Sequence, residues 1–357
     1  MLNAGNDVWI GVDGGATSVK AGAVRVLDGG RLALLGAPVE HAFGAEPGFS
    51  PVELGRQLTE LARGCVDVGA EERAAGAHRI GVYAQAVCEL ARRAPEVADR
   101  GSVQLALCAP GRTGSDRRGL LAVRNGPRQP RFLDELERAL RDGSLPRLRP
   151  PASIDSDGTA AGWGEQFGVD GAFVGVEHAY AVGCGTGVAE SLKVDGRLCE
   201  AQGFPDGWRV PWQADESGRC EEDKLSMSAL TRRWREVGED SARACAYPEP
   251  AARAGLQVAR GVLQELARAL ADFLAERFTL LQARGVLLQR VVLAQRAAAL
   301  FADPELEVCF AAPLRARLEQ GIGSAARGPG FLVPSRLRSA PVLGTVARAL
   351  GWPAQVD

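Results

Sequence analysis

The apolar positions of this chain follow two spacings, and the switches between them mark its elements. Residues 8–38 show short apolar runs broken by glycine turns. The first run enters Ile10-Gly11-Val12-Asp13-Gly14-Gly15-Ala16-Thr17, a second covers 18–27, and a third follows the turn Asp28-Gly29-Gly30, which predicts a β-meander. Alanine, leucine and arginine at helical spacing then predict helices over 51–70 and 78–98. Residues 102–109 (SVQLALCA) are almost wholly apolar, as a strand buried on both faces of a sheet requires, and they stop at Pro110-Gly111. An amphipathic helix is expected over 133–140 and a proline-marked linker over 145–151. Segment 153–165 runs from a strand end into a helix start and carries two acids, Asp155 and Asp157, at the junction.

Residues 171–198 repeat the opening order: strand, glycine turn (Gly183-Cys184-Gly185-Thr186-Gly187), strand, then the hairpin signal Asp195-Gly196. Identity between the two blocks is poor but the order of elements is the same, so a duplicated fold is the economical account. Helices over 223–236 and 252–284, a strand over 290–294 and a helix over 335–350 complete the reading.

At 357 residues, 46% hydrophobic and 24% charged, the chain has room for two domains with substantial cores. Its 42 basic against 44 acidic residues give a net charge of −2, which leaves no electrostatic footprint for nucleic acid or an anionic membrane. No apolar run approaches the roughly 18 residues of a membrane span, and residues 1–7 lack the basic start and apolar stretch of a secretion signal, so a cytoplasmic protein is expected. Eight scattered cysteines form no CxxC pair, and at least six are expected to be small buried hydrophobes. His41, His78 and His178 stand at no metal-ligand spacing from a cysteine, which argues against a structural zinc.

The two glycine turns carry the candidate chemistry. Glycine allows positive φ and close backbone approach, so exposed N–H groups of such a turn can line an anion. Read alone, Asp13-Gly14 is a hairpin signal, Asp157 suits a helix N-cap, and the second turn could be a sheet bulge. Two turns half a chain apart suggest instead a nucleotide held between two lobes.

Together these residues resemble the actin-like ATPase and sugar-kinase superfamily, and within it the ROK family (repressor, open reading frame, kinase). Asp13-Gly14-Gly15-Ala16-Thr17 is similar to the family's first phosphate motif, and Gly183-Cys184-Gly185-Thr186-Gly187 to its second. Segment 155–165 resembles the part that contains the catalytic aspartate, which puts Asp157 in that role. Leu107 to Gly111 resembles the family's strand followed by Pro-Gly, and Ser335-Arg336-Leu337 with Gly344 its last helix. The resemblance implies a two-lobed α/β fold of the actin-like, ribonuclease H-like type with duplicated βββαβα cores. The lobes would be 1–125 with 335–357, and 126–334, with the active site in the cleft between them.

It also implies ATP and Mg²⁺ as cofactors and a small-molecule sugar or cyclitol as partner, with a homodimer as the expected assembly. Asp13 would hold the metal through water; Gly14, Gly15, Thr17, Lys20, Gly183, Gly185, Thr186 and Gly187 would contact the nucleotide. Asp157 would take the proton from the attacking hydroxyl, while Asn125, Asp155 and Asp206 would contact the substrate, Asp155 as a neighbour on the same extended face. The chain departs from the family where a Glu-x-Gly-His segment should grip the sugar: it reads Gly203-Phe204-Pro205-Asp206-Gly207-Trp208-Arg209-Val210. The cysteine-rich zinc loop is reduced to Cys220, and the adenosine-side glycine pair is replaced by Leu293-Ala294-Gln295-Arg296. A non-catalytic sugar or nucleotide sensor and an actin-like ATPase are the rival readings.

Overall fold

A computed structural model describes residues 8–46, 48–98, 102–142, 147–200, 203–237, 245–323, 328 and 330–353, and within it the chain divides into two units. Residues up to Gly171 join Ser339–Pro353 in the first; Ala172–Arg338 form the second.

The first unit opens with β1 (Val8–Gly14), β2 (Ser18–Leu27), β3 (Arg31–Leu34) and β4 (Val39–Ala42). Helices α1 (Leu54–Ala62), α2 (Ala70–Arg93) and α3 (Pro95–Ala98) lead to β5 (Ser102–Ala109). After β6 (Arg112–Thr113), β7 (Leu120–Ala122) and α4 (Phe132–Asp142) come β8 (Arg147–Arg149), β9 (Ile154–Ser156) and α5 (Asp157–Phe167). The main sheet runs β3-β2-β1-β5-β8, with β4 added to β2 and β9 to β5. β1 is antiparallel to β2 and parallel to β5. Ile10 and Val12 on β1 and Leu105 and Leu107 on β5 are essentially sealed from solvent, as expected for central strands covered on both faces.

The second unit contains β10 (Ala179–Cys184), β11 (Val188–Val194), β12 (Arg197–Leu198), α6 (Glu222–Leu225), α7 (Met227–Val237), α8 (Glu249–Arg253), α9 (Gln257–Gln282), β13 (Arg290–Ala294), α10 (Gln295–Ala302), α11 (Ala312–Ile322) and β14 (Leu332–Pro334). Its sheet runs β12-β11-β10-β13-β14, with β10 antiparallel to β11 and parallel to β13. Order and direction match the first sheet, so the duplicated α/β architecture expected from the sequence is present.

The last helix, α12 (Ala340–Ala349), packs in the first unit. Its contact with α5 has no room for side chains at two positions: a Cβ on Gly344 would lie 1.7 Å from the Ala160 carbonyl oxygen, and one on Gly164 1.9 Å from that of Ala340. Val342 of the same helix lies against β1, where a Cβ on Gly11 would come within 2.1 Å of its carbonyl oxygen.

Three boundaries differ from the sequence reading. Residues 126–171 belong to the first unit, because β8 and β9 extend its sheet and α5 packs on α12. Residues 147–149, expected in a linker, form a parallel edge strand on β5; edges tolerate short, charged strands. Residues 335–339 precede the helix instead of opening it, since Ser335 N–H is tied to the Leu293 carbonyl and Pro341 stands in the first turn of α12. Cys88, Cys108, Cys184, Cys220 and Cys309 are buried, one fewer than expected, with Cys199 half-buried and Cys65 and Cys245 exposed. Among the described residues no helix is long and apolar enough to cross a membrane.

Candidate active site

Pairing across the first sheet assembles a small acidic centre at the ends of its strands. Asp13 lies opposite Lys20 on β2 and opposite Cys108 on β5, and Cys108 in turn lies opposite Asp155 on β9. Directly opposed antiparallel residues share a face, so Lys20 stands on the side of Asp13. Its ammonium is 3.8 Å from Glu40 Oε1. Burial pushes the Asp13 carboxyl up to about 6, and the nearby charge of Asp157 adds to the shift, while Lys20 and the Cys108 thiol, 3.7 Å from Asp13 Oδ1, oppose it. Burial also pushes the Cys108 thiol well up.

Asp157 is the first residue of α5, not its N-cap; the cap position is Ser156. Gly158 N–H donates to Asp157 Oδ1 at 2.9 Å, and burial raises the Asp157 carboxyl above the ordinary range. A carboxylate at a helix start is favoured by the macrodipole, so burial is the effect that wins here. Asp155 has another role than the one expected. The chain turns from strand to helix at Asp157, so the two acids do not share an extended face. The buried Asp155 carboxylate accepts from Arg117 and, at 2.7 Å, from Arg348 Nε, whose guanidinium lies over the Trp163 ring. Asp155 thus ties α12 to β9 and is not retained as a substrate contact.

In the second unit the turn Gly185-Thr186-Gly187 joins β10 to β11. Its carbonyls face α7: Gly185 O accepts from Met227 N–H at 2.7 Å and Thr186 O from Ser228 Oγ at 2.9 Å. In a trans peptide the carbonyl and the following N–H point in opposite directions. The amides of Thr186 and Gly187 therefore point away from α7, and among the described residues they meet no backbone acceptor. Two adjacent outward amides make a small anion-binding concavity.

The glycines of both turns serve space, not backbone angle. None of Gly14, Gly15, Gly183, Gly185 and Gly187 adopts positive φ, contrary to the expectation from their turns. A Cβ on Gly14 would meet the Tyr83 hydroxyl at 1.8 Å, one on Gly185 the Gln295 amide oxygen at 2.3 Å, and one on Gly187 the Glu222 carboxylate at 2.6 Å. Glu222 also accepts from Val188 N–H at 2.8 Å. Gln295 was visible in the sequence as the residue displacing a glycine pair; Tyr83 and Glu222 gave no local signal. Thr17 is exposed at the tip of the first turn, with its carbonyl bonded to Phe43 N–H at 2.9 Å.

The expected substrate segment is anchored inward. Trp208 donates to Glu190 at 3.3 Å, and the Arg277 guanidinium lies 4.5 Å over its ring while bonding Glu190 at 2.8 Å. Asp206 is exposed, and its backbone carbonyl accepts from Arg284. In the first unit Asn125 is exposed and its carbonyl accepts from Arg79, which is paired with Glu46. In the segment before Cys220, Asp215 holds its own turn, accepting from Ser217 N–H at 2.8 Å, Ser217 Oγ at 2.6 Å and Arg219 N–H at 3.1 Å.

Neither a protein-family model nor a curated protein sequence matches the chain. Solved structures do. A ROK family glucokinase from Streptomyces griseus, in complex with glucose and AMPPNP, matches with a TM-score of 0.61 at 21% identity, over 96% of this chain and 99% of that one. An inorganic polyphosphate/ATP-glucomannokinase from Arthrobacter sp. strain KM matches with a TM-score of 0.59 at 18% identity, over 97% and 99%. A ROK family transcriptional regulator, a homologue of the E. coli MLC protein, matches with a TM-score of 0.51 at 16% identity, over 98% and 79%. This chain therefore has the fold of the ROK-family sugar kinases.

Proposed function

We propose that this protein is an ATP-dependent kinase that transfers the γ-phosphoryl group to a hydroxyl of a sugar or sugar-like polyol. The observation that carries the proposal is the pair of carboxylates Asp13, near the end of β1, and Asp157, at the start of α5, with the charge of Asp157 adding to the proton affinity of Asp13 beside Lys20. Two half-buried acids held near each other, with raised proton affinity, point to a cation and a proton to be handled.

The pair suits magnesium. Its donors are hard oxygens, a divalent ion would relieve their repulsion, and among the described residues no cluster of three or more ligating side chains would cage the metal. Mg²⁺ keeps several waters and takes other ligands from phosphates, so Asp13 would hold it through water. When bound, the ion would neutralise charge on the transferring phosphoryl group. The Thr17 hydroxyl and Lys20 would contact phosphate oxygens from the first unit, and the outward amides of Thr186 and Gly187 would offer phosphate contacts from the second. The acceptor oxygen bonds to the γ-phosphorus, the bridging bond to the β-phosphate breaks, and ADP leaves with that electron pair. Asp157, made more basic by burial, takes the hydroxyl proton. Asn125 of the first unit and Asp206 of the second are each proposed as acceptor contacts, for a hexose, amino sugar or cyclitol; the missing histidine in 203–210 points away from glucose.

A second reading, a sugar or nucleotide sensor, is favoured by one observation: Trp208 of the expected sugar segment is clamped by Arg277 and Glu190 instead of being presented to a ligand. ADP release from ATP·Mg²⁺ across hexoses, amino sugars, polyols and cyclitols separates the two. The kinase gives turnover that depends on one acceptor class. Asp157→Asn is expected to lower it by about 10²–10⁴-fold, the usual contribution of a general base, with nucleotide binding retained. Binding without turnover on any acceptor would establish the sensor.

A further inference from the structure

Gln295 combines a left-handed backbone, a register fixed by the sheet and a side chain laid over the second glycine turn. Its backbone stands at φ 56°, a region that non-glycine residues rarely occupy and that persists only where the surroundings impose it. The imposing element is the sheet: β13 runs parallel to β10 with Ala294 opposite Gly183, and Gln295 itself bridges to Cys184. This fixes the direction of the side chain, which lies over the second glycine turn. A Cβ on Gly185 would be 2.3 Å from the Gln295 amide oxygen, and one on Gly183 3.1 Å from its amide carbon.

Over Gly183 and Gly185 the surface of this turn is therefore a carboxamide. The residue is exposed, and among the described residues no hydrogen bond of its side chain to protein is found, so its two N–H donors are available to a ligand. The adjacent cation is committed elsewhere: Arg296 pairs with Glu249 at 2.8 Å and lies 3.9 Å over the Tyr247 ring.

Resting on the nucleotide reading of the site, we infer that Gln295 is a donor-binding residue whose side-chain amide donates to a phosphate oxygen of the bound nucleotide. The chain's strained left-handed backbone at this position is what aims the amide.

The test is calorimetric titration of the full chain with ADP·Mg²⁺ and with adenosine. Gln295→Ala and Gln295→Gly should each weaken ADP about tenfold, the loss of one hydrogen bond to a charged group. Gln295→Glu, of the same shape but anionic, should weaken it further, while adenosine binding changes in none of the three. The glycine variant suits the positive φ and keeps the comparison free of misfolding. Equal or tighter ADP binding by the alanine and glycine variants would overturn the inference and make the side chain an obstruction. Failure of the wild type and all variants to bind ADP would overturn the nucleotide reading itself, and the inference with it.

Discussion

At the scale of single residues, Asp13 gives the most direct handle. Its carboxyl is held near 6 in the folded chain against an ordinary value of 3.8. A raised carboxyl means that the folded state keeps its proton longer than the unfolded chain. Stability is then greatest at or below the unfolded value, falls as pH rises from about 4 to 6, and levels off above that, by up to about 3 kcal/mol. Denaturant unfolding in EDTA at pH 4.5 and 7 should show this decline, and Asp13→Asn should remove most of it. An unchanged decline in that variant would assign the effect to other groups. Asp13, Asp157 and the glycine turns were legible as candidates because type and spacing carry them. The reason for the glycines was not: Tyr83 on α2, Gln295 on α10 and Glu222 on α6 approach them from distant sequence, and only the tertiary fold reveals that contact. Asp155 misled for a related cause, since period-two alternation ends where a helix begins.

At the scale of elements, the α5–α12 contact positions the proposed base. Asp157 opens α5, so any shift of that helix moves its carboxylate. With Gly344 against the Ala160 carbonyl at 1.7 Å from a would-be Cβ, Gly344→Ala must push the helices apart. Overpacking of this kind costs about 1–3 kcal/mol or more. A lowered denaturant midpoint with a greater loss of kcat than of nucleotide affinity is expected; wild-type stability would mean that the crossing is looser than described. Central strands such as β5 were plain in the sequence because they are apolar throughout. The short edge strands β8 and β14 were missed because three residues flanked by or ending in proline carry no period, and only the ladder offered by a neighbouring strand makes them strands.

At the scale of the whole molecule, the repeated order of strand, turn and strand revealed the duplication, whereas the dividing point did not appear in composition. The chain leaves the first unit after Gly171 and returns at Ser339. A chain ended at Arg338 lacks α12, the helix that covers Gly11 and braces Asp155 through Arg348. Hydrogen exchange of that truncated protein should show lost protection over residues 8–171 and retained protection over 172–338. Full protection of both stretches would make α12 dispensable.

That return carries a consequence for biosynthesis. β1 leaves the ribosome well before the helix that seats on its glycine groove, because nearly the whole of the second unit lies between them in sequence. At about 5–20 residues per second, the interval is on the order of twenty seconds to a minute. Throughout it the second unit can be made and fold while the first, with its carboxylate pair, stays open along one face. Completion of the proposed catalytic centre thus waits for the ten residues of α12, which are made only after the second unit.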